Sequence, residues 1–200
     1  MQFGRMTRLT DRAIRRAIHD ELLPPFLMCG HALIVDEMAV CGGDSRVDLA
    51  VINGQVHGFE IKSEADTLER LGKQSESYNR VFDTMTIICG EKHTQKVLSA
   101  VPEWWGVCTA RIHVGRVQLT RLRFSEANLN VDRYYLAQML WKDELTRLLA
   151  EVGIVKGVSS KPCRKLWNLV SEAFTTSELQ SRVRHILKSR QCWRLPLTQM

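Results

Sequence analysis

The stretch that most constrains the fold lies between Arg46 and Lys62, where the sequence carries a strong β-hairpin signal. Two runs rich in β-branched and apolar residues flank Asn53-Gly54, a dipeptide that is typical of tight turns between strands. Because side chains alternate between the two faces of a strand, a register slip of one residue would move every side chain to the opposite face. A three-residue loop, 53–55, places Leu49 opposite Phe59 and collects the apolar side chains on one face, whereas a two-residue loop divides them. We therefore predict the three-residue loop.

The same register places charged side chains opposite one another on the second face of the hairpin. Asp48 faces Glu60, and Arg46 faces Lys62. Facing carboxylates repel each other unless a cation lies between them, and carboxylates, water and a substrate phosphate commonly hold Mg²⁺. A neighbouring lysine can stabilise developing charge or orient an attacking water. The pattern predicts Mg²⁺-dependent or Mn²⁺-dependent hydrolysis of phosphodiesters, with Asp48, Glu60 and Lys62 as catalytic residues. The alternative is a solvated hairpin face that merely carries charge.

A known group of proteins shares this arrangement. Asp48, followed on the next strand by Glu60-Ile61-Lys62, resembles the motif of the PD-(D/E)XK nuclease superfamily, although Val47 stands where many members have a proline. Gln74-x-x-x-Tyr78, on the helix that follows, is similar to a motif of the exonuclease branch of that superfamily. The surrounding sequence is also similar to a little-characterised bacterial family of stand-alone proteins of about this length, which its motif places in the superfamily.

The resemblance implies a fold, a metal site and supporting residues. The implied fold is α/β, a restriction-endonuclease-like core with a mixed central sheet flanked by helices, followed by a C-terminal helical module. The implied metal ligands are Asp48, Glu60, Glu37 and the backbone carbonyl of Ile61. The implied supporting residues are Gln74 and Tyr78. Some members add a glutamate from the first helix, for which Glu21 is the candidate here, so the residue that completes the site stays open.

Local periodicity bears on several of these residues. Asp36 and Glu37 lie in a predicted strand, 32–41, and because neighbours on a strand point to opposite faces, one of them must face away from the site. The apolar pattern of the strand does not decide which, and the family resemblance favours Glu37. Gln74 and Tyr78 are four residues apart on a predicted helix and therefore lie on one face. The candidates for contact with nucleic-acid backbone are Arg46, Arg70 and Lys73.

The charge of the chain is unevenly distributed, although its net value is only +6. Residues 1–110 contain 12 Lys and Arg and 15 Asp and Glu, whereas residues 111–200 contain 16 Lys and Arg and 7 Asp and Glu. This asymmetry suits a polyanionic partner that is gripped by the basic half. From Asn130 onward the apolar pattern is wholly helical. We predict a PD-(D/E)XK nuclease-like core over 1–125 and a basic helical module over 126–200.

Composition argues against several other classes of protein. No run approaches the ~18 apolar residues that a membrane helix requires, and the positive charge near the N-terminus has no apolar segment behind it. Neither a membrane partner nor a secretory signal is therefore expected. The six cysteines show no Cys-x-x-Cys spacing and the six histidines no paired spacing, so a zinc site is not expected. We expect a cytoplasmic protein whose cysteines are reduced.

Three functions remain, in order of preference. The first is a metal-dependent nuclease, with DNA favoured over RNA as its substrate. The second is a non-catalytic nucleic-acid-binding or regulatory protein on the same fold. The third is a structural adaptor whose basic module docks an acidic protein. The sequence leaves open the strand and sequence specificity, the oligomeric state, and the choice among DNA repair, phage defence and mobile-element roles.

Overall fold

A computed structural model describes residues 8–28 and 32–190 of the chain. The chain forms two compact units, of which the first ends at Asp132 and the second begins at Arg133. The division predicted from the sequence, after residue 125, stays a prediction.

The first unit contains six strands and four helices within the described residues. It begins with α1, Asp11–Ala17, which continues as a π-helical turn, Ile18–Leu22, and is followed by the short α2, Pro24–Leu27. Three consecutive strands are β1, Leu33–Val40, β2, Ser45–Ile52, and β3, Val56–Lys62. The remaining elements are α3, Leu71–Asn79, β4, Thr84–Gly90, α4, Thr94–Ala100, β5, Gly106–His113, and β6, Arg116–Arg123.

All six strands form one mixed sheet, and their spatial order is the same as their order in the chain. The pairs β1–β2, β2–β3 and β5–β6 are antiparallel, whereas β3–β4 and β4–β5 are parallel. Parallel neighbours require a crossover connection, and the chain uses α3 and α4 for the two crossovers. The predicted fold class, a mixed α/β sheet flanked by helices with a C-terminal helical module, is confirmed.

The central hairpin has the predicted register. Leu49 pairs with Phe59, and Ile52 pairs with Val56, which leaves a three-residue loop, 53–55. The Asn53 side chain closes this loop, because its Oδ1 accepts a hydrogen bond from the backbone N–H of Gln55 at 3.1 Å.

Both faces of the sheet are covered where the hairpin lies, so the whole of β3 is buried. On one face, Ile14 and Ile18 of the first helix pack in a cluster with Leu49, Val51, Phe59, Ile61 and Ile88. On the other face, the fully buried Tyr78 of α3 packs against Phe82 and Trp105. Gly58 faces the same side, and a Cβ there would force the Met85 side chain to move.

Two sequence patterns bear on where helices begin and end. Pro24-Pro25 predicts that the first helix ends before it, and the π-helical turn does end at Leu22. The prolines themselves occupy the first turn of α2, where their missing N–H groups cost no hydrogen bond. Ser63, followed by Asp66 three residues later, is a pattern that predicts the start of a helix, here one running to Phe82. The Asp66 carboxylate does accept hydrogen bonds from the Ser63 N–H and hydroxyl, both at 2.7 Å, but it closes a turn, and α3 begins only at Leu71.

The second unit is helical throughout its described part. Its helices are α5, Arg133–Ala137, α6, Lys142–Glu151, α7, Cys163–Ala173, and α8, Thr176–Ser189. Their apolar stripes form its core, which includes Leu136, Leu145, Leu166, Val170, Leu179 and Val183.

Two compositional predictions can be compared with the described residues. Within residues 8–28 and 32–190, no helix is both long enough and apolar enough to cross a membrane. Cys41, Cys89 and Cys108 are buried free thiols, and Cys163 is half-buried and also free. Cys29 and Cys192 lie outside the described residues.

Candidate functional site

The central hairpin brings the two predicted acidic residues to one end of the sheet. Asp48 lies on β2, and its Oδ2 accepts a hydrogen bond from the backbone N–H of Ile61 on β3 at 2.7 Å. Glu60 lies on β3 and is 2% exposed. The predicted register thus places both carboxylates next to each other, as expected.

Glu60 is surrounded by hydrogen-bond donors from its own chain. Its Oε1 accepts from the Nζ of Lys62 and from the Nε2 of Gln74, each at 2.7 Å. The Nζ of Lys62 also donates to the Oε1 of Gln74 at 2.9 Å, so the three side chains form a closed triangle. The Tyr78 hydroxyl lies 2.9 Å from the Oε2 of Glu60 and 2.6 Å from the carbonyl oxygen of Arg46, and its single hydrogen can be donated to either.

A second group of carboxylates surrounds Arg15, a residue of α1. The guanidinium Nη1 donates to the Oδ1 of Asp36 at 2.8 Å, and Nη2 donates to the Oε1 of Glu37 at 2.9 Å. Nη2 also lies 3.6 Å from the Oδ1 of Asp48, and Nε lies 3.6 Å from the Oδ1 of Asp11. A guanidinium therefore lies against two of the predicted metal ligands, Glu37 and Asp48.

The expectation that one of Asp36 and Glu37 must face away is wrong. Glu37 has a φ of +54°, in the left-handed region, which interrupts the alternation of the strand. Asp36 still pairs with Leu49 and Met38 with Val47, so the register resumes after the distortion. Because of it, two adjacent carboxylates reach the same guanidinium. Non-glycine residues rarely adopt such a φ unless surrounding contacts stabilise it, and the bond to Arg15 is one such contact.

The environment of the hairpin changes the acidity of two groups. Burial raises the pKa of Asp48 from its ordinary 3.8 to about 7, and the second cause of the increase is the negative charge of Glu60. Burial and the same carboxylate raise the pKa of Tyr78, so its hydroxyl keeps its proton at neutral pH. The carboxyl of Asp48 therefore changes charge near neutral pH, unlike an ordinary surface aspartate.

A cleft of about 620 Å³ opens beside these networks. Asp48, Glu60, Ile61, Lys62, Gln74 and Glu37 line it, together with the three predicted phosphate-contacting residues, Arg46, Arg70 and Lys73. These three side chains are exposed, but Asp11, Asp44 and Asp66 line the same cleft. The cleft is thus a mixture of both charges and not a basic surface. The roles predicted for its residues stay predictions.

The arrangement does not fit a bound Mg²⁺ without movement of the chain's own cations. Both oxygens of Glu60 are hydrogen-bonded, and Arg15 faces the Oδ1 of Asp48. Within the part of the chain that the structure describes, no group of three or more His, Cys, Asp and Glu is arranged to hold a metal ion. Glu21 is exposed and does not line the cleft. Binding of Mg²⁺ or Mn²⁺ stays a prediction.

Sequence reasoning missed Arg15 and Asp11. Helical periodicity places Arg15 on the solvent side of the first helix, because Ile14 and Ile18 mark the apolar face. The only local signal was the spacing of four residues between Asp11 and Arg15, which brings their side chains together on a helix. Contacts with β1 and β2 depend on how the helix crosses the sheet, and the local sequence does not specify that.

Comparison with known proteins identifies the family. A family model described as Bacteriophage P4 protein cII matches residues 5–194. The chain belongs to the bacteriophage P4 protein cII family. Protein cII of Enterobacteria phage P4 is 32% identical over 127 residues, which make up 64% of this chain and 48% of that protein. The matched segment therefore covers about half the length of the phage P4 protein. No solved structure matches the chain.

This finding corrects two predictions. The identification as a member of the PD-(D/E)XK nuclease superfamily is wrong, because the match over residues 5–194 is to the P4 protein cII family. The predicted function, a metal-dependent nuclease, is wrong for the same reason. The alternative, a non-catalytic nucleic-acid-binding or regulatory protein, agrees better with the family. The Asp, Glu and Lys pattern that carried the resemblance is present, but Glu60 and Lys62 bond to each other and to Gln74. Asp48 accepts a hydrogen bond from the backbone N–H of Ile61.

Proposed function

We propose that this chain is a nucleic-acid-binding protein with a regulatory role, that its partner is DNA, and that it binds without hydrolysing the DNA. The observation that carries the proposal is a basic surface at the start of α7. No aspartate or glutamate occurs between Glu151 and Glu172, whereas Lys156, Lys161, Arg164 and Lys165 lie within that segment. Among the described residues, none of these four side chains forms an ion pair.

The start of α7 also differs from those of its neighbours. At α6, the backbone N–H of Trp141 donates to the carboxylate of Glu144 at 2.7 Å, and at α8 Glu178 closes the first turn with Thr175. The first turn of α7 follows Pro162 and has no side-chain cap. Free N–H groups and the helix dipole favour an anion there, and Arg164 and Lys165 lie in that turn. Phosphate is the anion that this combination suits.

The cleft of the first unit supports the non-catalytic part of the proposal. The Lys62 that was expected to act on a substrate is 7% exposed and is bonded to Glu60 and Gln74. Its charge is neutralised inside the protein. The exposed positive charge of α7, by contrast, is available to a polyanion. Neutralising phosphates releases counterions from DNA, which is the main source of sequence-independent affinity.

The proposal is tested by fluorescence anisotropy with a labelled DNA duplex and the full chain in EDTA. We expect binding with a dissociation constant of about 1 µM or tighter. The double variant Arg164→Gln/Lys165→Gln should bind about 10-fold more weakly or worse, because two phosphate contacts are lost. The matched control is Lys92→Gln/Lys96→Gln, which removes the same charge from two exposed positions in and next to α4. This control should bind like the wild type.

The same samples distinguish a binding protein from an enzyme. After incubation with Mg²⁺ or with Mn²⁺, the labelled duplex should run intact on a denaturing gel. Cutting that requires a metal and is lost in Glu60→Gln would contradict the proposal. Absence of binding by the wild type would contradict it as well.

A further inference from the structure

The hairpin of β5 and β6 is the second part of the chain in which positive charge has no acidic counterpart. No aspartate or glutamate occurs from Trp104 to Ser125, whereas Arg111, Arg116, Arg121 and Arg123 lie within that span. The hairpin forms one edge of the sheet. Charged side chains commonly protect an edge strand from pairing with another chain, so their mere presence does not indicate a partner. Their placement on the hairpin is more specific.

The side chains of the hairpin divide cleanly between its two faces. The pairs Cys108–Arg121, Ala110–Leu119 and Ile112–Val117 share one face, and their apolar members pack in or against the cluster under α1. We call the second face the open hairpin face. It consists of the pairs Thr109–Thr120, Arg111–Gln118 and His113–Arg116. Thr109 is half-buried and the other five residues are exposed.

The arginines of this hairpin are not equivalent. Arg123 donates to the carbonyl oxygens of Trp105 and Pro102 at 2.7 and 2.9 Å, so it has a structural role. Arg121 lies over the ring of Phe124. On the open hairpin face, Arg111 donates from Nε and Nη2 to the Oε1 of Gln118 at 3.0 and 2.9 Å.

The bonds to Gln118 hold the Arg111 guanidinium in a defined orientation without neutralising it. Among the described residues, neither Arg111 nor Arg116 forms an ion pair. Two carboxylates, those of Glu64 and Glu91, line a groove beside the hairpin together with Arg111 and His113. Arg116 does not line this groove.

The tip of the hairpin is unusual in a way that edge protection does not require. Val114 is 87% exposed and has a φ of +49°, and Gly115 follows with a φ of +75°. Asparagine or glycine is the usual residue at the first of two such positions, and a β-branched residue is strained there. Retention of a strained, exposed apolar residue is a reason to look for a function at that point.

We propose that the open hairpin face docks in the major groove of double-stranded DNA, with Arg111 and Arg116 contacting phosphates or base edges and Val114 leading at the tip. This inference rests on the proposed function and names a surface of the first unit that takes part in it. The major groove of B-form DNA is wide enough for a two-stranded ribbon. β5 pairs with β4 as far as Ala110, so the two-stranded ribbon beyond it comprises residues 111–118 and extends about 10 Å. This part carries Arg111, Val114 and Arg116 and is the part that enters the groove.

The test compares charge-removing variants of the full chain by fluorescence anisotropy with labelled duplexes. Arg111→Gln/Arg116→Gln should bind double-stranded DNA about 10-fold more weakly than the wild type, and its log–log salt slope should be smaller by about 2. Lys92→Gln/Lys96→Gln again serves as the control with an equal loss of charge. Gln118→Glu is a second variant, which keeps both arginines but places a carboxylate against the guanidinium of Arg111. It should also weaken binding, and circular dichroism should show wild-type melting for all three variants.

Double-stranded RNA of the same sequence separates groove docking from general attraction to phosphate. The major groove of A-form RNA is too deep and narrow for side chains to read, so the hairpin variants should lose little affinity for it. An equal loss for RNA, or an equal loss in the control, overturns docking in the groove. If the wild type binds DNA and the hairpin variants bind it equally well, this inference fails while the proposed function stands. If the wild type does not bind DNA at all, both fail.

Discussion

The cleft beside the central hairpin differs from two basic segments, 104–125 and 152–171, in how positive charge is paired. Neither segment contains an aspartate or a glutamate. In the cleft, Lys62 pairs with the carboxylate of Glu60, and beside the cleft Arg15 pairs with carboxylates of β1. On the open hairpin face and at the start of α7, Arg111, Arg116 and Arg164 are exposed and form no ion pair within the described residues. A cation bonded inside the fold stabilises the fold, whereas an exposed cation without an acidic neighbour attracts a partner.

The comparison explains why a charge count is a poor guide to function at a given site. The cleft contains the residue types of a catalytic centre, yet Glu60 and Lys62 are bonded to each other and to Gln74. Asp48 accepts a hydrogen bond from the backbone N–H of Ile61. The basic segments contain no recognisable motif, yet Arg111, Arg116 and Arg164 are exposed there, and no aspartate or glutamate occurs within the same segments. Changes that remove charge should therefore lower stability in the cleft and lower affinity in the basic segments.

The largest effect on stability is expected from Lys62→Met. Glu60 and Lys62 are 2% and 8% exposed at the side chain, so the variant leaves a buried carboxylate without its cation. Removing one partner of a buried ion pair typically lowers the free energy of unfolding by about 3–5 kcal/mol. Urea denaturation at neutral pH measures this quantity.

A double variant separates the loss of the ion pair from the loss of packing. Lys62→Met/Glu60→Gln removes both charges, and it should recover more than half of the stability that Lys62→Met loses, because no unpaired charge remains. A loss of less than about 1 kcal/mol in Lys62→Met would mean that the lysine is not part of the folded network.

A smaller effect is expected in the pH dependence of stability. Because the pKa of Asp48 is raised from 3.8 to about 7, the folded chain holds a proton that the unfolded chain has released over this range. Its contribution to stability is fully present below about pH 4 and is lost as the pH rises through about 7. A shift of this size corresponds to about 4 kcal/mol. Because solvent screens the Asp48 side chain, which is 22% exposed, we expect Asp48→Asn to be less sensitive to pH between these values by about 2 kcal/mol.

The control for this prediction is Asp11→Asn. The Asp11 carboxyl group also lies near the guanidinium of Arg15, but its side chain is 51% exposed. It should leave the pH profile close to that of the wild type. Urea denaturation of the three proteins at several pH values gives the comparison. Parallel profiles for the wild type and Asp48→Asn would contradict the buried environment assigned to Asp48.

The smallest effect is expected at the hairpin tip. Val114→Asn places a residue that tolerates a positive φ at a position with φ of +49°, and it should raise the free energy of unfolding by about 1 kcal/mol. The same variant should bind DNA no better than the wild type, because the exposed apolar tip is lost. This position would then differ from the cleft: substitutions in the cleft lower stability, whereas this one raises stability without any gain in affinity. A variant less stable than the wild type would show that the turn is not strained.

Part of this structure could be predicted from the sequence, because its determinants are local. The Asn53-Gly54 turn and the alternation of apolar residues specify the register of the central hairpin, and that register places Asp48 beside Glu60. The spacing of Gln74 and Tyr78 places both on the face of α3 that reaches Glu60. Periodicity alone was sufficient for these elements.

The remainder depended on contacts between distant segments. Arg15 reaches Asp36, Glu37 and Asp48 only because α1 crosses the sheet at that point and Glu37 adopts a positive φ. The sequence pattern of a metal site does not say whether its lysine points to a substrate or to its own glutamate. That ambiguity led to the wrong nuclease identification, which the match to the P4 protein cII family corrects.

The most direct test of the central claim is the salt dependence of DNA affinity in EDTA, measured by fluorescence anisotropy on the full chain. We expect the wild type to show a linear log–log dependence, and Arg164→Gln/Lys165→Gln to reduce its slope by about 2 while Lys92→Gln/Lys96→Gln leaves it unchanged. Such a result would show that the positive charge at the start of α7 contacts DNA phosphates. An affinity that does not respond to salt, or equal slopes in all three proteins, would contradict the account.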